Sequence, residues 1–188
     1  MSKALWKPGT MVYPVPAVLV SCGDAPANYN LITIAWTGTI CSEPAMTYIS
    51  VRPERHSYEI IKRTGEFVIN LTTKKLAFAV DYCGVKSGRD LNKFKQLKLT
   101  PLPAAHVKAP LLKESPLNIE CRVEEIKPLG SHDMFIAKVL GIQADKEFID
   151  KKGAFNLAQT DPICYSHGRY FVLGRELGHF GYSVKKRP

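Results

Sequence analysis

The chain has 188 residues, 45% of them hydrophobic and 23% charged, which is enough to bury one sizeable core and leaves no reason to expect disorder outside the termini. Lysine plus arginine number 26 against 17 aspartates and glutamates, a net charge of +9, a balance that suits phosphate-bearing cofactors, nucleic acid or acidic proteins. Five widely spaced cysteines without a Cys-x-x-Cys pair argue against zinc ribbons and thioredoxin-type sites and fit a reducing cytoplasm.

The N-terminus lacks an apolar signal core, and no stretch approaches the ~20 apolar residues needed to span a bilayer. The only tight basic cluster, Lys185-Lys186-Arg187, reads as a solvated tail. Nucleic acid is therefore an improbable partner, and a single domain over residues 1–188, with its core at about 12–175, is expected.

Val15 to Cys22 is a valine-rich run entered through prolines and closed by Gly23-Asp24, and it predicts a strand. Leu31 to Trp36 predicts a second strand and Met46 to Val51 a third, with Thr37 to Pro44 as a loop between them. After Pro53, Ser57 is placed to cap a helix that Gly65 ends. Phe67 to Leu71 predicts another strand. Thr73 then opens a second helix, with Leu76, Val80 and Cys83 on one face and Gly84 at its end. Asp90 is a candidate cap for the short segment Leu91 to Phe94.

Four prolines between Leu99 and Pro116 predict a wandering connection. Leu117, Ile119, Cys121 and Val123 alternate with Asn118, Glu120, Arg122 and Glu124, which predicts a half-exposed strand. With Met134 to Ile142 it makes a hairpin. Ile163 to His167 and Tyr170 to Leu173 are two further extended segments. The tally of strands, with few helices, predicts a mainly β, antiparallel Greek-key barrel with short flanking helices.

Dinucleotide and P-loop glycine motifs are missing, and the five histidines are scattered, so no metal site or catalytic triad is indicated. What stands out is polar loops placed next to strands. In Asn30 to Thr39, small hydroxyl residues beside glycine let backbone approach a flat or anionic ligand. In Ser50-Val51-Arg52-Pro53-Glu54-Arg55-His56-Ser57, two guanidinium groups, a hydroxyl, an imidazole and a helix start lie within one short segment, which is the chemistry of a phosphate site. Cys83 to Phe94 adds a glycine-containing basic loop. Each segment also has a plain structural reading, as strand, capped helix and turn.

Taken in order, these blocks resemble the flavin-reductase-like family in its flavoredoxin branch. They run as Asn-x-x-Thr-x-Ala-Trp, Ser-Val-Arg-Pro-x-Arg-His-Ser, Gly-Glu-Phe-Val-Ile-Asn and Cys-Gly-x-x-Ser-Gly-Arg-Asp-x-x-Lys-Phe. A strand from Ser131 to Val139 and a Tyr165, Tyr170, Leu173-Gly174 ending follow. The resemblance implies an FMN-binding split barrel and a homodimer. It places Thr33, Ile34, Ala35, Trp36 and Thr37 along the isoalloxazine edge and counts Asn30 among the cofactor-binding residues. It places Ser50, Arg52, Arg55, His56 and Ser57 around the phosphate and ribityl chain, with Val51 also among the cofactor-binding residues, and brings Cys83, Gly84 and Lys93 close to the flavin from the same or the partner subunit.

The implied activity is that of an NAD(P)H-dependent flavin reductase, with hydride passing to flavin N5 and no catalytic side-chain base, and electrons leaving to a flavin or redox-protein acceptor. The alternatives are an FMN electron carrier reduced by a protein partner, an amine-oxidising relative on the same barrel, and a basic barrel that binds nucleic acid. Trp6, Tyr13 and the stretch Phe171 to Tyr182 are candidate interface aromatics.

Overall fold

A computed structural model describes residues 2–184; the basic cluster Lys185-Lys186-Arg187 lies outside the described residues. Seven antiparallel strands form the main sheet. They are β2 (Val18–Cys22), β3 (Asn30–Ile34), β4 (Thr37–Cys41), β5 (Met46–Val51), β6 (Glu66–Asn70), β9 (Leu117–Pro128) and β10 (Asp133–Ala144), in the order β3-β2-β6-β9-β10-β5-β4. β1 (Val15–Pro16), β11 (Ile163–Ser166) and β12 (Arg169–Val172) make a small second sheet, and β7 (Pro101–Leu102) pairs with β8 (Leu111–Leu112). The helices are α1 (His56–Thr64), α2 (Ala77–Val85) and α3 (Lys93–Leu97). None of the helices is long and apolar enough to cross a membrane among the described residues.

β3 and β4 stand at opposite edges of the sheet, yet only Ala35 and Trp36 separate them in sequence. The sheet must therefore curl until its edges nearly meet. Two register shifts between β9 and β10, at Ile136/Ala137 and Val139/Gly141, add local bend, as bulges do. At the seam β3 and β4 stay unpaired, and the Ser50 N–H donates to the Trp36 carbonyl at 2.9 Å, extending the β4–β5 ladder into the link. The result is a split half-barrel.

The barrel interior holds Val20, Ile32, Ile49, Phe67 and Phe135, and Tyr58 and Ile61 of α1 close one end. Phe67 and Phe135 are fully buried, and each such side chain contributes about 1.5–3 kcal/mol. A second cluster lies outside β2 and β3, where Leu76, Val80 and Cys83 pack with Phe94 and Ile163. The predicted inward face of the second helix is thus the one the structure buries.

Several local expectations are corrected. Thr37 to Pro44 is not all loop: Thr37–Cys41 pairs with β5, because threonine-rich sequence suits a pleated edge. Ser57 does not cap α1. Arg55 holds that position with extended backbone, and the Ser57 hydroxyl instead accepts from Asn30 Nδ2 at 2.8 Å. Gly65 ends α1 as predicted, in the left-handed region at φ 68°. α2 continues one residue past Gly84, and α3 is capped by Asn92 rather than Asp90, its Oδ1 accepting from the Lys95 N–H at 3.0 Å.

The largest correction concerns β9. Its polar residues do not all face water: Asn118 and Glu120 are buried. The proline-rich connection folds over them. Glu120 accepts from the His106 N–H at 2.6 Å and from Gln143 at 2.8 Å, and Asn118 Nδ2 donates to Asn70 at 2.7 Å. A fully hydrogen-bonded polar layer can be buried at modest cost.

Candidate functional site

The seam opens into a cleft of about 280 Å³. One wall is the β3–β4 link, with Thr33, Ile34, Ala35 and Trp36. The end of β5 adds Ser50 and Val51, followed by Arg52 and Arg55. The opposite wall carries Tyr165 and Tyr170 from the small sheet, and His132 and Gly84 complete the lining. The tyrosines belong to an aromatic cluster: Tyr165 and Tyr170 centroids lie 5.7 Å apart, and Tyr13 lies 6.2 Å from Tyr165 and 6.1 Å from Trp36.

A second, polar hollow of about 170 Å³ adjoins the first, and Arg55 and Ile32 line both. Its other residues include Asn30, His56, Ser57 and Lys93, with Lys86, Ser87, Gly88 and Arg89 from the loop after α2. The α1 N-terminus opens here, so its unpaired N–H groups and dipole reinforce the cationic side chains. The loop lies very close to β3: a Cβ placed on Gly88 would meet Asn30 Oδ1 at 2.3 Å, so the approach requires glycine.

Electrostatics divide the groove. Burial, followed by the charges of Arg89 and Lys93, pushes His56 down, with Asp90 opposing. His132 is also lowered, by burial and then by Arg52, against Glu54. Both imidazoles are held toward their neutral forms. An arriving anion beside His56 would reverse part of that effect.

Most of the residues expected from the sequence meet in this groove. Thr33, Ile34, Ala35, Trp36, Ser50, Val51, Arg52, Arg55 and Gly84 line the cleft, and Asn30, His56, Ser57 and Lys93 line the hollow. Two lie behind it. Thr37 is buried, its hydroxyl donating to the Tyr48 carbonyl at 2.6 Å. Cys83 is fully buried, and burial pushes its thiol up to about 11.

Lys93 is also less available than its motif suggests. Its ammonium donates to the Leu31 carbonyl at 2.7 Å and the Cys83 carbonyl at 3.0 Å, tying β3 to the end of α2. Burial lowers its pKa. Arg55 Nη2 donates to the neighbouring Gly84 carbonyl at 2.6 Å. Two cations thus hold the C-terminal carbonyls of α2, a favourable dipole pairing.

His132 is the residue that sequence reasoning misses. Its available signal is the start of β10, where Asp133 accepts from the buried Tyr58 hydroxyl at 2.6 Å and so fixes the backbone beside it. Tyr165 and Tyr170 are visible in sequence only as part of the C-terminal pattern. No cluster of His, Cys, Asp and Glu able to hold a metal occurs among the described residues.

The groove therefore joins a cleft walled by peptide and aromatic rings to a pocket in which Arg55, Lys86, Arg89 and Lys93 outnumber Glu54. A family model described as a flavin reductase like domain matches residues 10–174. The chain belongs to this family. The matched span of the flavin reductase like domain encloses every residue that lines the cleft and the hollow.

Among solved structures, the flavoredoxin of Desulfovibrio vulgaris (Miyazaki F) superposes with a TM-score of 0.90 at 29% identity, covering 98% of this chain and 100% of that one. The expected split-barrel fold is thereby shown. An uncharacterised protein of Pyrococcus abyssi is 31% identical over 137 residues, 73% of this chain and 78% of the relative. The NADH-dependent FMN reductase AsuE2 of Streptomyces nodosus subsp. asukaensis is 25% identical over 167 residues, 88% of this chain and 80% of the relative.

Proposed function

We propose that the groove holds FMN and that the protein is an NAD(P)H-dependent flavin reductase. One observation carries this reading: the aromatic-lined cleft at the seam runs into a mostly cationic pocket at a helix start, with Arg55 lining both. The isoalloxazine fits the slot along Thr33 to Trp36. The phosphate fits the hollow, near Arg55, His56, Ser57 and the Lys86 to Arg89 loop. Bound FMN supplies reversible hydride acceptance, chemistry that the side chains lack.

The chain's own residues bind and orient. Arg52 and Arg55 supply charge-assisted donors. Trp36, Tyr165 and Tyr170 exclude water from the slot and leave it an aromatic mouth suited to a stacked nicotinamide. Neutral His132 can hydrogen-bond there without adding charge. A homodimer belongs to the same reading. Its support is the set of unpacked apolar side chains on the terminal arms: Trp6 is 75% exposed, and Leu177 and Phe180 stand almost wholly in solvent.

The test is anaerobic. Purified protein is loaded with FMN, freed of excess flavin, and mixed with NADH or NADPH. Bleaching of the flavin absorption within the mixing experiment is expected. Bound FMN that stays yellow with both nucleotides would overturn the reductase reading. It would leave an electron carrier reduced by a protein partner, the second reading, which the likeness to flavoredoxin favours. Bleaching by an amine alone would point to oxidase chemistry on the same barrel.

A further inference from the structure

α2 is apolar on both faces. Leu76, Val80 and Cys83 face β2 and β3 and are buried. Phe78, Tyr82 and Val85 share the outer face, at i, i+4 and i+7. Phe78 is 75% exposed and Val85 71%, and the Phe78 and Tyr82 rings stack with centroids 6.1 Å apart and planes 28° from parallel. Asp81 is exposed on that same face, so the stripe is apolar around one carboxylate, and apolar rings exposed on the outer face of a helix are ordinarily covered by something.

Charge decides what covers it. Lys74 and Lys75 precede the stripe by one turn and Lys86 ends it, all three exposed. None of them takes part in an ion pair among the described residues. The stripe's one carboxylate, Asp81, accepts from the Tyr170 hydroxyl at 3.4 Å, so an apolar stripe led by two unpaired lysines complements an apolar patch edged with carboxylates. The same helix backs the cleft. The Thr33 hydroxyl donates to the Val80 carbonyl, and Gly84 lines the slot itself. The stripe therefore lies about one helix diameter, roughly 10 Å, from the slot.

We propose that the outer face of α2 docks an acidic protein carrying a one-electron redox centre, which delivers electrons to the flavin. The proposal rests on the FMN-binding reading above and names the partner of its carrier form. Each encounter oxidises the partner's centre by one electron. Two encounters, with one proton taken from water, convert oxidised FMN to its reduced anion.

The experiment uses a reduced [2Fe–2S] ferredoxin of net negative charge as probe, mixed anaerobically with the FMN-loaded protein while flavin bleaching is followed. The second-order rate constant should fall at least about tenfold as salt is raised, as steered association does. The Lys74→Glu/Lys75→Glu variant should lose about tenfold at low salt and most of the salt dependence. Phe78→Ser should slow the reaction at every salt concentration. In both variants FMN affinity and the circular dichroism spectrum should stay unchanged.

Unchanged ferredoxin rates in both variants would overturn the proposal. So would a dimer that Phe78→Ser converts to monomer in sedimentation, which would assign the face to a second copy. Salt-sensitive binding to phosphatidylserine vesicles, lost in the lysine variant while ferredoxin reacts normally, would overturn it in favour of a membrane. Calorimetric titration of oxidised ferredoxin into the flavin-free chain separates the two layers. Heat there supports docking even if FMN fails to bind, and no heat counts against docking alone.

Discussion

Arg55 carries two tasks with one guanidinium. It lines both parts of the groove and holds the Gly84 carbonyl. Arg52 is paired only loosely, with Glu54 at 3.6 Å on the surface. The double replacement Arg52→Ala/Arg55→Ala should weaken FMN binding about 10- to 100-fold, chiefly through Arg55, since a hydrogen bond to a charged group contributes about 1.5–3 kcal/mol. Quenching of flavin fluorescence on titration measures it, and unchanged affinity would count against the phosphate assignment. The proposed phosphate segment is legible in sequence because its chemistry is local: arginine, imidazole and a helix start within a few residues. Lys93 and Cys83 show the reverse. Their motif is plain, but only the fold shows the ammonium tied to two carbonyls and the thiol sealed off. The thiols allow a sharp check. Burial pushes Cys22 and Cys121 to about 12 and Cys83 to about 11, whereas Cys41 and Cys164 are partly exposed. Iodoacetamide at mild alkaline pH should label Cys41 and Cys164 in the native protein, with the other three silent by mass spectrometry until denaturant is added.

Elements show where local reading works and where it stops. Strand and helix types come through where short β-branched or aromatic runs end at turn residues, as in β5 and β6, and where Leu76, Val80 and Cys83 recur at helical spacing leading into and along α2. The face of β9 does not. Asn118 and Glu120 look solvent-facing by alternation, and only the long connection, whose path no local pattern specifies, turns them inward. β4 is missed for a similar reason: its partner, β5, decides its pairing more than its own composition. The loop after α2 is the element on which the hollow depends most. Gly88→Ala would place a methyl group against Asn30, which is itself held by Ser57, so neither side can yield freely. The expected cost is about 1–3 kcal/mol of overpacking. Differential scanning calorimetry should show a Tm lower by a few degrees, and FMN affinity should fall with it. An unaltered Tm and affinity would mean that the loop does not hold this position in solution.

For the molecule as a whole, the terminal arms are the part least accounted for by a single copy. Tyr13 rests on Trp36 and His167, so the N-terminal arm leaves the body beside the mouth of the cleft. A second copy that covers Trp6 would sit close to that mouth, in a reciprocal contact of the kind a two-fold axis imposes. Sedimentation should give a dimer for the full chain and a monomer once residues 2–10 are removed; a truncated chain that still sediments as a dimer would place the contact elsewhere. The seam has a different consequence. The slot is bounded by a link of only two residues that joins opposite edges of one sheet. How far those edges can part is therefore limited by the number of peptide units between Ile34 and Thr37 rather than by what their side chains are. Each added residue lengthens the tether by up to about 3.5 Å, close to the contact distance of stacked carbon atoms. Residue count at this one junction thus sets the reach of the tether between the sheet edges, so lengthening or shortening the link should change the opening of the cleft without altering its lining.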